Sequence, residues 1–179
     1  MKITKTHLEN CIIIEPTIFG DARGCFFESF NKIQFENLTN TIINFVQDNE
    51  AVSNRGVLRG LHFQKGEFAQ AKLVRVIKGK VLDVAVDLRK DSDTYGDHFS
   101  IILSEENKKQ LFVPRGFAHG YAVLKDNTIF QYKCDNYYSP DNEGGIRYDN
   151  EYLNIDWKLR EEEIILSEKD KNLKKFKGF

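Results

Sequence analysis

Between residues 81 and 89 apolar and polar positions alternate: Leu82, Val84, Val86 and Leu88 fall on one side of an extended chain, and Asp83, Asp87 and Arg89 on the other. A period of two predicts a strand with one buried face and one wetter face. Lys78-Gly79-Lys80 supplies a turn ahead of it, and residues 72–77 a strand ahead of the turn, so the two segments read as a hairpin. Further short strands are predicted at 11–15, 25–30, 44–49, 99–103, 110–113, 120–124 and 128–135. Polar turns separate them, among them Gly20-Asp21, Asp91-Ser92-Asp93 and Asp126-Asn127. Helical character is confined to 32–38 and the charged C-terminal stretch. Many short strands, without a repeat or a linker, predict an all-β sandwich or jelly-roll barrel with a few short helices, mainly C-terminal.

Composition narrows the picture. A length of 179 residues suits one domain spanning 1–179, with room for a sizeable core. Lys plus Arg (26) and Asp plus Glu (27) nearly cancel, so the global charge gives no reason to expect nucleic acid or an anionic membrane as partner. The apolar run from Cys11 to Ile14 is too short for a signal segment or a membrane span. Cys11, Cys25 and Cys134 form no C-x-x-C pair, and their odd number argues against a disulfide framework. A cytoplasmic location is expected.

Three segments carry residues suited to chemistry. In Gly56-Val57-Leu58-Arg59-Gly60-Leu61-His62-Phe63-Gln64, strict alternation sends Arg59 and His62 to opposite faces. Both reach one pocket only if the strand bends at Gly60. A near-neutral pKa makes His62 the natural general base if such a pocket exists; otherwise it is a core histidine with one hydrogen bond. Pro114-Arg115-Gly116-Phe117-Ala118-His119-Gly120 predicts a tight turn that aims His119 inward. This P-x-G-x-x-H-G run is similar to the second motif of the cupin superfamily. Metal-binding cupins carry H-x-H in the first motif, where this chain reads His62-Phe63-Gln64. Two histidines without a fixed carboxylate make a poor divalent-metal site, so a metal-free cupin is expected. Within 128–135, Tyr132 shares a face with Thr128, Phe130 and Cys134. An inward tyrosine is either core or a proton donor to a ligand. By composition Ser167-Glu168-Lys169-Asp170 is a solvated charged end.

Taken in order, these pieces resemble the dTDP-4-dehydrorhamnose 3,5-epimerase family over nearly the whole chain. The matching segments are Phe19-Gly20-Asp21-Ala22-Arg23-Gly24 with Phe27-Glu28, then Gln47-Asp48-Asn49, and then Val57 to Gln64. Gln70 to Val76, Gly79 to Val84, Pro114 to Gly120, Tyr132-Lys133 and Ser167 to Asp170 complete the series. The resemblance implies a jelly-roll cupin, usually a homodimer, with no metal and no organic cofactor. It implies that His62 is the base, oriented by Asp170, that Tyr132 is the acid on the opposite face of the sugar, and that Lys72 stabilises an enolate. By the same resemblance Arg59, His119, Gln47, Asp48, Asn49, Glu143 and Lys169 bind a nucleotide-diphosphate sugar, and Tyr138 stacks on the nucleotide base. Arg23 and Glu28 are similar to residues shared across the dimer interface.

The implied reaction inverts C3 and C5 of a nucleotide-linked 4-keto-6-deoxyhexose. A mono-epimerase acting at C3 or C5, or an epimerase of a GDP-, CDP- or UDP-linked ketosugar, has the same residues. A metal-dependent cupin oxygenase or isomerase and a non-catalytic sugar-binding cupin are the other classes weighed. The first lacks the H-x-H and glutamate pattern, and the second has no use for a base, its carboxylate and an opposed acid together.

Overall fold

The computed structural model describes residues 1–175; the last four positions of the expected 1–179 domain lie outside the described residues. In chain order the strands are β1 (Lys2–Lys5), β2 (Ile12–Glu15), β3 (Phe19–Asp21) and β4 (Gly24–Phe26), followed by helix α1 (Lys32–Thr39). Then come β5 (Gln47–Ser53), β6 (Leu58–Gln64), β7 (Lys72–Lys78), β8 (Lys80–Asp87) and β9 (His98–Ser104). β10 (Gln110–Val113), β11 (Phe117–Val123), β12 (Thr128–Cys134), β13 (Glu143–Gly145) and the single-turn helix α2 (Glu168–Lys171) follow.

A six-stranded sheet in the order β1-β2-β10-β7-β12-β5 faces a five-stranded sheet in the order β13-β6-β11-β8-β9, giving the expected jelly-roll barrel. Pairing within the sheets is antiparallel. Val74, Val76, Leu111 and Phe130 from one sheet meet Val81, Ala85, Leu103 and Val123 from the other in one buried core. The outer face of the five-stranded sheet is covered in turn. Leu58, Leu82, Val84, Val86 and Ala118 pack beneath Ile146, Leu153 and Trp157 of the C-terminal wrap. Outside the six-stranded sheet, Phe35 of α1 packs on Ile12, Leu73 and Phe112. Helix α1 is fixed by its ends: Asn31 Oδ1 accepts from the Gln34 N–H, and Asn40 closes the helix at φ 57°.

Three expectations need correction. The Asp83 face of β8 is not wet, for Asp83 and Asp87 are both 0 % exposed. Alternation separates two faces but does not say that either meets water, and here the wrap covers one and the barrel interior the other. The strand predicted at 25–30 is only Gly24–Phe26, and with Phe19–Asp21 it forms an exposed hairpin that pairs with neither main sheet. The strand expected at 44–49 is shifted to Gln47–Ser53. No described helix is long and apolar enough to cross a membrane.

Candidate active site

A cavity of about 600 Å³ opens between the sheets, and both sheets supply its walls. Gln47 and Asn49 of β5, Lys72 of β7 and Tyr132 of β12 line one side. Arg59 and His62 of β6 and His119 of β11 line the other, with Tyr138, Glu143, Ser167, Lys169 and Asp170 also in the lining.

The bend required at Gly60 is present. Across the β6–β11 pair His119 stands opposite His62 and Tyr121 opposite Arg59, so three steps on β6 match two on β11. That one extra residue is a bulge, and it turns Arg59 and His62 to the same side. Gly60 sits at φ 123°, and a Cβ there would lie 2.6 Å from Gly120 Cα. No side chain fits between the two strands at this point.

His62 Nε2 lies 2.5 Å from Asp170 Oδ1. The C-terminal segment reaches β6 through the Ile165 N–H to the Gly56 carbonyl (2.8 Å) and the Leu58 N–H to the Ile165 carbonyl (3.0 Å). Ser167 then starts α2: its Oγ accepts from the Asp170 N–H at 3.1 Å and donates to Asp170 Oδ2 at 2.8 Å. Burial by itself would raise the Asp170 pKa, but the hydrogen bond and positive charge of His62, with Ser167, outweigh it and hold the carboxyl below its ordinary value. An ionised partner accepts only from a ring N–H, which puts the proton on Nε2 and leaves Nδ1 as the basic nitrogen of His62.

Tyr132 occupies the opposite wall. Burial, then the neighbouring Cys134, pushes its phenol up to about 12, so it is protonated at neutral pH and suited to give a proton rather than take one. The Lys72 ammonium lies 5.9 Å from the centre of the Tyr132 ring. Its pKa is lowered, first by burial. Among the described residues no hydrogen-bond acceptor holds it, and it is left to meet an anionic oxygen.

His119 lies within β11 rather than in the preceding turn, since that strand begins at Phe117 and not at 120. Its Nε2 is 3.0 and 2.9 Å from the two oxygens of Asp83. The Arg59 guanidinium donates to Ser53 Oγ at 3.3 Å. At the mouth Glu143 accepts from Lys169 at 2.6 Å and from the Tyr138 hydroxyl at 2.9 Å. Gln47 accepts from the Tyr138 N–H at 3.2 Å and donates to Asn49 at 3.0 Å.

Three expected binding residues lie outside this cavity. Asp48 is on the other face of β5 and pairs with Lys133 at 2.9 Å, as its odd position relative to Gln47 and Asn49 requires. Arg23, its side chain 90 % exposed, pairs with Asp21 on the hairpin. Glu28 accepts from Asn31 and Gln34 near the start of α1. Reading the sequence missed Asp83, whose signal was a carboxylate alternating with apolar residues, and it missed Ser167 as the residue that aims Asp170. Among the described residues no group of three or more His, Cys, Asp and Glu is arranged to hold a metal ion. Both cavity histidines engage a carboxylate through Nε2 instead.

A family model described as dTDP-4-dehydrorhamnose 3,5-epimerase matches residues 5–178. The protein of that name from Escherichia coli K12 is 49 % identical over 173 residues, covering 97 % of this chain and 93 % of its own. A crystal structure of a dTDP-4-dehydrorhamnose 3,5-epimerase from Elizabethkingia anophelis superposes with a TM-score of 0.95 at 54 % identity, covering 99 % of this chain and 97 % of that one. The Legionella pneumophila dTDP-6-deoxy-D-glucose-3,5-epimerase, solved in complex with dTDP-4-keto-L-rhamnose, superposes with a TM-score of 0.93 at 48 % identity, covering 97 % and 92 %.

Proposed function

The chain belongs to the dTDP-4-dehydrorhamnose 3,5-epimerase family, and from that premise we propose that His62 and Tyr132 are the base and acid of its reaction. The protein is a sugar-nucleotide epimerase that inverts C3 and C5 of dTDP-4-dehydro-6-deoxy-D-glucose, giving dTDP-4-dehydro-L-rhamnose. A proton next to a ketone is acidic because the carbonyl takes up the electron pair. His62 Nδ1 removes the C–H proton, and the C–H pair moves into the ring to form an enolate whose charge rests on the C4 oxygen. Lys72 stabilises that oxygen, and such a donor typically contributes about 3 kcal/mol to the transition state. Tyr132 returns a proton to the opposite face, inverting the centre. The His62 side chain is 24 % exposed, so it sheds its proton to solvent between the two events, and the Tyr132 phenolate takes a proton back from solvent at the open cavity. Asp170 holds the ring orientation and stabilises the imidazolium. The substrate's own ketone is the electron sink, so the steps assigned to these residues use no cofactor.

The observation that carries the reading is that His62, paired with Asp170, and Tyr132 stand on facing sheets across one cavity. Arg59, Gln47, Asn49, Tyr138, Glu143, Lys169 and His119 are proposed to hold the nucleotide-diphosphate sugar, with the guanidinium suited to phosphate oxygens. In deuterated water the wild-type protein is expected to place deuterium at both C3 and C5, and His62→Ala to lose at least ~10³-fold in both, within the range of a positioned base. Near wild-type turnover by His62→Ala rules out this assignment.

We further propose a homodimer working in the cytoplasm, with residues 1–179 as one domain. The β3–β4 hairpin exposes Phe19 (63 %) and Phe26 (67 %), and an unsupported two-stranded hairpin is marginal in water. A second copy of the chain is the proposed cover. It would also bring Arg23 and Glu28 to a neighbouring cavity.

A further inference from the structure

Three glutamine side chains from separate parts of the chain converge on the backbone of one segment, residues 135–142, which joins β12 to β13. Gln47, the first residue of β5, accepts from the Tyr138 N–H at 3.2 Å. Gln64, the last residue of β6, accepts from the Ser139 N–H at 3.2 Å. Gln70, just ahead of β7, donates to the Asn136 carbonyl at 2.8 Å. Gln64 and Gln70 are both buried, and a buried amide is costly unless it is hydrogen-bonded. All three ties are made to main chain, so they hold the path of the segment.

Tyr138 lies within the segment so held. Its residue is 50 % exposed at the mouth of the cavity, so packing alone does not fix it. Gln47 and Gln64 hold the backbone at Tyr138 and at the residue after it. At the far end of the side chain the hydroxyl donates to Glu143 Oε2 at 2.9 Å, and Glu143 in turn accepts from Lys169 at 2.6 Å. An aromatic side chain tied at both ends has little freedom left to lose when a ligand stacks on it, and that loss is one of the costs of binding.

We propose that Gln64 is a positioning residue for nucleotide binding: with Gln47 and Gln70 it holds residues 136–139 in place, so that Tyr138 is set for the base before the nucleotide arrives. Gln64 is not among the residues lining the cavity and acts through the segment rather than on the sugar. Its loss therefore weakens substrate and transition state alike and spares the chemical step. The proposal rests on the reading of Tyr138 as the residue that stacks on the base.

The test uses dTDP as the ligand in titration calorimetry. Gln64→Leu, close in size but without the acceptor, is expected to weaken Kd about tenfold, and Tyr138→Ala at least as much. Because Gln64 acts through Tyr138, the double variant should bind within about twofold of Tyr138→Ala alone. In steady-state assays Gln64→Leu should raise KM about tenfold and keep kcat within about threefold of wild type. A Tyr138→Ala Kd within about twofold of wild type overturns the stacking reading and the proposal with it. If Tyr138→Ala weakens binding but Gln64→Leu does not, or if their losses add in the double variant, the positioning role alone is overturned. Amide hydrogen exchange of the free wild-type protein needs no variant: the Ser139 amide is expected to be protected at least ~10²-fold, and exchange at the unprotected rate overturns the proposal.

Discussion

One cavity holds two histidine–carboxylate pairs, and they differ in access to water and in what else holds the carboxylate. In the first pair the His62 side chain is 24 % exposed and that of Asp170 4 %, and Asp170 also accepts from Ser167. In the second, His119 is 6 % exposed and Asp83 0 %, and both Asp83 oxygens rely on the one ring N–H. An imidazole open to solvent can shed a proton after each turnover, which a base must do. A sealed imidazole held against a buried carboxylate has no such open route to water. In the proposed mechanism the first pair transfers the proton, and its access to solvent is what sets it apart from the second.

Three substitutions break or sharpen that contrast. Asp170→Asn leaves the ring contact but removes the charge that stabilises the imidazolium, and it is expected to lower kcat by about 10²- to 10³-fold with little change in thermal stability. Activity near wild type in steady-state assays assigns Asp170 a purely structural role. Asp87 is the structural counterpart: a buried carboxylate two positions from Arg89, with Ser92 and Thr94, and outside the cavity lining. Burial alone would raise its pKa, but those hydrogen bonds hold it at about 2. Because the folded value lies below the unfolded one, its stabilisation is full above the unfolded pKa and fades as pH falls toward 2. Asp87→Asn is expected to cost about 2 kcal/mol in denaturant unfolding at pH 7, with the difference shrinking on acidification and kcat unchanged. Ser167→Ala removes a helix cap and a hydrogen bond to Asp170, at a cost of about 1 kcal/mol measured the same way. Its kcat should fall several-fold, between that of wild type and Asp170→Asn.

Much of the barrel was readable because alternation and turn chemistry act locally. Gln110–Val113 falls where predicted, and β7, β8 and β12 differ by a residue or two. What eluded the sequence depends on long-range contact. His62 and Asp170 are 108 positions apart, and nothing in their spacing joins them; the family resemblance did. Asp83 was assigned to a wet face because a period of two cannot say what covers each side. The hairpin at 19–26 carries aromatic residues like a buried strand's, but the described chain offers it no sheet to join. The Gly60 bend was legible in outline: the need to bring Arg59 and His62 together required an irregularity, and glycine marked its place.

The central claim is that the base and the acid act on opposite faces of the sugar. It is tested most directly by comparing solvent exchange with inversion in Tyr132→Phe, following dTDP-4-keto-6-deoxyglucose in deuterated water by NMR. With His62 intact and the phenol gone, the substrate proton should still wash out to solvent while inverted product forms at least ~10²-fold more slowly, as expected on removing a positioned acid. Inversion that keeps pace with exchange in this variant contradicts the account.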